Sequence, residues 1–233
     1  MDVCHLDSNK IKKLVNSHYK LFKFFSYIYA VLLPKNKILF KGIDLSAGVT
    51  LINGLKINNH GQNNKIILGD FVRIKNCTIT IYGNHNTIKI DDFAYLNKIA
   101  FYMEDDKNEI SVGQHSSLCG STHLATIEGT KITIGKDCLF SGELHFRTGD
   151  SHSMLNLQGK RINASKDILI DDHVWIGTKV TCLKGVHVSE NSIVAATTTL
   201  CKDYAMPNVV IAGVPGKIVK KDVNWCTERI PLN

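Results

Sequence analysis

The sequence predicts an all-β protein, a parallel β-helix of stacked triangular coils with a short α-helical segment at the N-terminus. Three observations support this prediction. Apolar residues recur at every sixth position over part of the C-terminal half, shorter stretches upstream keep the same spacing, and an apolar stretch of helical length precedes them all. Because a fixed internal period is the sequence signature of a solenoid, the repeat determines the predicted fold class.

The C-terminal repeat is the clearest of these signals. Six apolar positions follow one another at intervals of six residues, and a mostly small residue stands four positions after each. A period of six fits neither an α-helix, with a period of 3.6, nor a two-sided strand, with a period of 2. It fits a triangular coil of about eighteen residues in which each side is one short strand with its apolar residue inward. The six positions are Ile170, Ile176, Cys182, Val188, Val194 and Leu200.

The same spacing continues towards the N-terminus with interruptions, which a coil accommodates as outward loops. Asparagine-rich stretches at residues 58–61 and 83–86 suit the corners, because Asn and Gly accept left-handed backbone angles and stacked Asn side chains pair with one another. The upstream positions are Val112, Leu118 and Leu124, then Ile134, Phe140 and Phe146, with shorter fragments at Leu68 to Ile74 and Ile90 to Leu96.

These patterns divide the chain into three parts. Residues 1–40 form an N-terminal helical segment, residues 41–220 the β-helix with a loop at 153–167, and residues 221–233 a C-terminal tail. The helix is expected over roughly residues 9–33, before Pro34. Its apolar part, residues 21–33, is shorter than the roughly 20 residues that span a bilayer. It either packs on the body or on a neighbouring subunit, or lies as a basic helix on the inner membrane surface, with Tyr27 and Tyr29 at the headgroups.

Composition excludes several classes. The net charge of +7 is concentrated in the first 40 residues, where seven lysines face two aspartates, so the body lacks the clustered basic surface of a nucleic-acid-binding protein. The seven cysteines are odd in number and contain no C-x-x-C, which fits neither a disulfide framework nor a zinc cluster. The N-terminus lacks the shape of a signal peptide. We therefore expect a cytoplasmic protein, at the inner face of the inner membrane if the helix binds lipid.

A conserved-looking set of short motifs resembles a known family. The pattern is similar to the C-terminal half of the left-handed β-helix (hexapeptide-repeat) acyltransferases, most like the bacterial sialic-acid and capsular polysaccharide O-acetyltransferases. The resemblance covers about 100 residues closely and implies a left-handed coil, a homotrimer, active sites between subunits, and acetyl-CoA as donor. The motifs are Asp171-Asp172-His173-Val174-Trp175-Ile176-Gly177, Leu183-Lys184-Gly185-Val186, Asn191-Ser192, Lys202-Asp203 and Ala212-Gly213-Val214-Pro215-Gly216-Lys217.

His152 is the candidate catalytic residue. Acetyl transfer to a hydroxyl needs a base and a donor for the oxyanion, and histidine suits the base because its pKa lies near neutrality. His152 stands where the regular repeat gives way to a polar loop. In the family that the chain resembles, the catalytic histidine precedes such a loop, some two dozen residues before a tryptophan in V-W-I-G. Here the interval to Trp175 is 23 residues. The resemblance also favours Trp175, expected at a coil corner, as a lining residue, although packing against the loop would explain it too.

Other polar residues near the loop are weaker candidates. His123 and His145 precede the loop by one or two coils and are candidates for contact with the acceptor, whereas His173 and His187 are expected to be solvated. Lys160 and Arg161 either hold a carboxylate or phosphate of the acceptor or belong to a solvated loop. The H-x-x-x-x-H spacing of β-helical zinc enzymes is missing, so we predict no metal.

The coenzyme residues follow from the resemblance alone. The pantetheine arm would pass Thr178 and Ala196 on its way to Cys201 and Lys202. The ADP end would meet Pro215, Lys217 and Lys220. Between Asp203 and Pro215 the chain is one residue longer than the family pattern.

The resulting hypothesis is an acetyl-CoA-dependent O-acetyltransferase that modifies a hydroxyl of a bacterial surface polysaccharide, from capsule or lipopolysaccharide and including sialic acid, with His152 as general base. Two alternatives remain: an N-acetyltransferase of an amino-sugar nucleotide, and a non-catalytic β-helical scaffold that binds sugar or membrane. The sequence leaves open the acceptor sugar, the hydroxyl, and whether the acceptor is a polymer or a monomer.

Overall fold

The chain folds as a three-sided parallel β-helix with one α-helix against its N-terminal end. The structure, a computed structural model, describes residue 13, residues 15–38 and residues 41–231. Its strands, numbered in chain order, pair in parallel with the strand one coil earlier and one coil later, apart from an antiparallel pair at the C-terminal end. The predicted all-β class and its short helical segment are confirmed.

The three sides are called A, B and C. Two long strands, β9 (Tyr95–Met103) and β11 (Ser117–Thr126), turn the corner from side B to side A. Side A also holds β1 (Lys37–Ile38), β4 (Lys56–Asn59), β7 (Thr78–Ile81), β14 (His145–Arg147), β17 (Thr181–Cys182) and β20 (Thr199–Leu200). Side B holds β3 (Leu51–Asn53), β6 (Arg73–Lys75), β13 (Leu139–Phe140), β16 (Trp175–Ile176), β19 (Ile193–Val194), β22 (Val210–Ala212) and the antiparallel β23 (Lys217–Lys220). Side C holds β2 (Ile43–Ala47), β5 (Asn64–Leu68), β8 (Thr87–Ile90), β10 (Glu109–Val112), β12 (Lys131–Ile134), β15 (Ile168–Ile170), β18 (His187–Val188) and β21 (Asp203–Tyr204).

The core is a column of apolar side chains along the axis. All six positions of the C-terminal repeat, from Ile170 to Leu200, are fully buried, as the six-residue period predicts. On side C the register places Ile66, Ile88, Ile110 and Ile132 one above another, and each is fully buried. Stacked branched side chains remove one another from water at every level, so burial stabilises each coil through its neighbours.

Coil length differs between the two halves, and here the eighteen-residue prediction was wrong for one of them. After residue 168 the partners across coils are 18 residues apart, as expected. Before residue 134 they are 22 residues apart. The additional residues lengthen strands and form a wider corner, and a search for a period of six does not reveal them.

Asparagines form a buried ladder at the corner of the longer coils. The side chain of Asn64 accepts a hydrogen bond from the backbone N–H of Asn86 at 2.8 Å, and that of Asn86 accepts from the N–H of Asn108 at 2.8 Å. The Asn108 Nδ2 also donates to Asn86 Oδ1 at 3.0 Å. Each Asn thus satisfies a backbone donor that a corner removes from the strand ladder. The predicted pairing of corner asparagines is confirmed.

The helix, α1 (Tyr19–Leu32), packs against the first coils. The hydroxyl of Tyr19 donates to Asp70 at 3.0 Å, and Asn36 fixes the exit of the helix by donating to the carbonyl of Ala30 at 2.7 Å. The predicted start of the helix near residue 9 lies outside the described residues. The β-helix begins at Lys37, a few residues before the expected boundary at 41. Among the described residues, no helix has the length and apolar character needed to cross a membrane.

Candidate active site

A cleft opens on side A where the last long coil gives way to the loop. Its volume is about 200 Å³, and it lies beside the segment that leads from β14 into residues 153–167. His152, the next residue after the lining, is exposed, and its ring has no hydrogen bond to the described part of the chain. The lining residues are Tyr102, Glu104, His123, Ala125, Thr126, Ile127, Arg147, Gly149, Asp150 and Ser151.

The position of His152 is fixed through its backbone by a buried amide. Asn163, on the returning strand of the loop, donates to the His152 carbonyl at 2.8 Å and to Asp150 Oδ2 at 2.8 Å, and accepts from the Met154 N–H at 2.8 Å. The ammonium of Lys184 lies 2.6 Å from Asp150 Oδ2. The Lys184 bond, followed by that of Asn163, holds the pKa of Asp150 below its usual value. The turn that carries His152 is therefore anchored while the imidazole stays accessible.

The two basic residues of the loop differ in their surroundings. Arg161 is ion-paired with Glu128 and also donates to Asn163 Oδ1 at 3.1 Å. The Arg161 hydrogen bond, together with that of Ser165, lowers the pKa of Glu128 to about 2. Arg161 thus ties the loop to the coil below it, and in this structure its guanidinium is already occupied. Lys160 is exposed and its ammonium has no ion-pair partner within the described residues.

His123 and His145 lie on neighbouring coils of side A, and their ring centroids are 6.2 Å apart. Burial, and after it the charges of Arg147 and His145, lowers the pKa of His123. Burial and the nearby Glu104 raise the pKa of Tyr102, which lies 6.1 Å from His123. The structure therefore brings His123, one of the expected acceptor contacts, into the cleft beside two ionisable groups, and His145 next to it.

Trp175 lies on a different side of the coil from His152. It opens β16 on side B rather than occupying the corner, because the turn is completed at residues 172 and 173. It does not pack on the loop either. Its neighbour is Trp225 of the C-terminal tail, 6.1 Å away, which stacks on His173 at 4.4 Å and donates to the His173 carbonyl at 2.8 Å. Within one chain, Trp175 and His152 share no cleft.

The expected coenzyme residues fall on both edges of side A in the short coils. Thr178 and Ala196 stack at the corner between sides B and A, where the Thr197 N–H donates to the Thr178 carbonyl at 2.8 Å. Cys201 and Lys202 are exposed at the far end of β20. Pro215, Lys217 and Lys220 lie exposed in the antiparallel C-terminal hairpin, separate from the other four.

Two predictions about histidines were wrong. His173 is covered by Trp225 and bonds Asn191 at 3.0 Å. His187 bridges two carboxylates on side C, Asp171 at 2.8 Å and Asp203 at 3.1 Å. Neither is simply solvated, because each belongs to a stack of residues from successive coils that a linear pattern does not reveal. Within the described ranges, no group of three or more His, Cys, Asp or Glu residues is arranged to hold a metal ion.

The sequence patterns missed four residues that shape the site. Tyr102, Glu104 and Arg147 line the cleft, and Asn163 anchors its rim. The signal that would have found the first three is the longer period: Ala100, His123 and His145 are register partners, and Tyr102, Ala125 and Arg147 follow them two residues on.

Comparison with known proteins gives a consistent set of similarities. The chain is 36% identical over 107 residues to a polysialic acid O-acetyltransferase of Neisseria meningitidis, which covers 46% of this chain and 50% of that protein. It is 33% identical over 104 residues to a polysialic acid O-acetyltransferase of Escherichia coli O1:K1, which covers 43% of this chain and 33% of that protein. The chain thus spans half or less of the curated relatives it matches.

The solved structures match over much longer stretches. The crystal structure of the polysialic acid O-acetyltransferase OatWY superposes with a TM-score of 0.67 at 30% identity, over 84% of this chain and 92% of that one. The polysialic-acid-specific acetyltransferase NeuO superposes with a TM-score of 0.70 at 25% identity, over 82% of this chain and 92% of that one. No family model matches the chain.

Proposed function

This chain belongs to the left-handed β-helix (hexapeptide-repeat) acyltransferases, and we propose that it is an acetyl-CoA-dependent O-acetyltransferase of bacterial surface polysaccharide. The observation that carries the proposal is the match with two solved polysialic acid acetyltransferases over more than four fifths of the chain. The acceptor class follows from the names of those relatives. A polysialic acid is therefore the first acceptor to test.

In the proposed reaction His152 acts as general base. Its imidazole takes the proton of an acceptor hydroxyl, and the oxygen attacks the thioester carbonyl of acetyl-CoA. A backbone N–H at the cleft stabilises the tetrahedral oxyanion, which collapses and releases the thiolate of coenzyme A. The protonated His152 then returns the proton to that thiolate. Its exposed ring beside the cleft, on a turn fixed by Asn163, supports this role.

Coenzyme binding is proposed along the short coils of side A. The exposed residues Thr178, Ala196, Cys201 and Lys202 offer a path past the outer strands, and Lys217 and Lys220, with Pro215, offer cations and a turn for the phosphorylated end. No nucleophilic cysteine is needed. Burial raises the pKa of Cys138 to about 12 and that of Cys182 well above its ordinary value, so both thiols stay protonated.

The experiment measures transfer of labelled acetyl from acetyl-CoA to a panel of polysaccharides led by polysialic acid, with UDP-amino sugars as the alternative acceptors. His152→Ala is expected to reduce kcat by about 10²–10⁴-fold, because the general base is lost, while acetyl-CoA binding measured by calorimetry is retained. His115→Asn, which changes an exposed histidine on another corner, is the matched control and keeps full activity. Undiminished turnover by His152→Ala overturns the assignment. Exclusive use of amino sugars favours the N-acetyltransferase, and failure to bind acetyl-CoA favours a scaffold.

The proposed assembly is a homotrimer that places Trp175 of one subunit opposite His152 of the next. The loop supports this assembly, because it presents large apolar side chains to solvent in the single chain: Met154, Leu155, Leu157 and Ile162, with Leu157 fully exposed. Sedimentation equilibrium tests the subunit number. A monomer that remains fully active would contradict a site shared between subunits.

Peripheral contact with the inner membrane is proposed for the N-terminal segment, residues 9–33. The outer surface of α1 exposes large apolar side chains, including Phe24, Phe25, Tyr27 and Leu32, beside the basic residues Lys20 and Lys23. Such a surface suits anionic lipid. Flotation with vesicles containing phosphatidylserine tests it, and binding that is equal for neutral and anionic vesicles would argue against the electrostatic part.

A further inference from the structure

Side A carries a continuous row of exposed or half-buried rings that ends at the cleft. We call this row the ring ladder; it consists of His60, Tyr82, Tyr102, His123 and His145. Successive ring centroids are 4.8, 5.8, 6.1 and 6.2 Å apart. The rings stand on successive coils, so at a strand spacing of about 4.8 Å the ladder extends roughly 19 Å along the helix axis.

The members of the ladder combine apolar ring faces with polar atoms. Tyr82 is 53% exposed, and the rings of Tyr82, Tyr102 and His123 are tilted relative to one another by 34° to 59°, so their faces do not fully cover each other. A tyrosine or histidine ring offers an apolar face and a polar group that donates or accepts a hydrogen bond. Sugar units present the same combination, with C–H groups on one face and hydroxyls around the edge.

The upper end of the ladder leads into the site of the proposed chemistry. Tyr102 and His123 belong to the lining of the cleft, and Arg147 stands two residues after His145 on the same strand. The Arg147 guanidinium has no hydrogen-bond or ion-pair partner among the described residues, so it is available to a carboxylate of the ligand. Of the two acidic residues of the cleft, Asp150 is neutralised by Lys184 and Glu104 remains unpaired.

A second row of rings provides an internal comparison. Phe71, Phe93 and His115 stack at the corner between sides C and B, with centroids 4.8 and 5.2 Å apart. This row has two phenylalanines, which offer no polar group, and it does not lead into the cleft lining. Stacking between coils therefore requires neither tyrosine nor histidine. The polar character and the position of the ring ladder call for another explanation.

We propose that the ring ladder is a binding strip for an extended, acidic polysaccharide chain, which it guides along the long coils so that one sugar unit enters the cleft beside His152. This inference rests on the proposed function. It assigns to side A of the long coils a preference for polymer over short acceptors. It also places acceptor and coenzyme on the same side, with the acceptor along the long coils and the coenzyme along the short ones.

The test compares polysialic acid with its trisaccharide as acceptors of the full-length protein. The His60→Ala/Tyr82→Ala double variant removes the two rings furthest from the cleft. We expect its KM for the polymer to rise about tenfold, in line with two lost ring contacts, with kcat and the KM for the trisaccharide unchanged. The matched control His115→Asn changes the other row and keeps both KM values. Thermal unfolding of each variant verifies the fold.

Each remaining outcome is assigned. An unchanged KM for the polymer, or equal losses with polymer and trisaccharide, overturns the inference. Calorimetric binding of the polymer without coenzyme separates this from the proposed function. If the wild-type protein binds the polymer through the ladder but transfers no acetyl group, the proposed activity fails and the strip stands. If it acetylates the trisaccharide and the polymer equally well, the activity stands and the strip fails.

Discussion

The long N-terminal coils and the short C-terminal coils solve the same packing problem in different ways. The long coils use strands of three to ten residues, and their buried corner is lined by asparagines. The short coils after residue 168 use strands of mostly two residues and tight corners with small or branched residues. The comparison teaches that the inward apolar column is common to both, whereas the outer surface depends on coil length. Longer strands leave more outward positions, and these carry the ring ladder.

The largest difference between the halves is expected in the core. Ile110→Ala in a long coil removes a fully buried side chain between two stacked isoleucines, and we expect a loss of about 2–5 kcal/mol in the free energy of unfolding. Val188→Ala in a short coil removes fewer atoms and should cost roughly 1.6 kcal/mol through lost transfer free energy. Urea unfolding measures both. Equal losses would show that the two halves do not differ in core packing.

The corners provide a second, smaller contrast. Asn86→Ala leaves the buried N–H and side-chain amide of Asn108 without their acceptor, which should lower the free energy of unfolding by about 1–3 kcal/mol. Ser192→Ala in a short coil loses only contacts of 3.2 and 3.4 Å and should cost less than about 1 kcal/mol. The same denaturation assay applies. A Ser192 variant as damaged as the Asn86 variant would mean that the ladder has no special role.

The smallest expected effect is a dependence on pH confined to the short coils. Burial alone would lower the pKa of His187, but the hydrogen bonds and charges of Asp171 and Asp203 outweigh it, so the pKa is raised above 6.5. The stabilisation is therefore complete below pH 6.5 and is lost as the pH rises through the folded-state pKa. We expect the wild-type chain to lose stability between pH 6 and pH 8. Asp171→Asn should reduce that loss, and an identical pH profile for both proteins would refute the bridge.

The fold was predictable because the inward pattern is local. Whether Ile176 or Val194 points inward depends on alternation along one strand, and all six residues of that repeat are buried as expected. The 22-residue coil was not predictable from a search for a period of six, because its corner uses a buried Asn where the hexapeptide pattern has a small residue. The period itself is visible in the spacing of His123 and His145 once the register is known.

The candidate site was predictable only in part. His152 was identified because it stands where the pattern stops, a property of the chain sequence. The partner of Arg161 was not, since Glu128 lies 33 residues away and the intervening loop sets which coil Arg161 reaches. Trp175 was correctly placed next to a buried isoleucine, yet its neighbour is Trp225 of the tail rather than the loop.

The sequence by itself determined the inward column, the eighteen-residue coils after residue 168 and the place where His152 leaves the regular pattern, because these depend on the alternation of side chains within short segments. The tertiary structure decided which outward residues meet. Contacts between coils join residues 18, 22 or 36 positions apart, according to strand length and loop insertion. A side chain therefore acquires its neighbours in the ring ladder, the Asn ladder or the His187 bridge only when the coils close and stack in register.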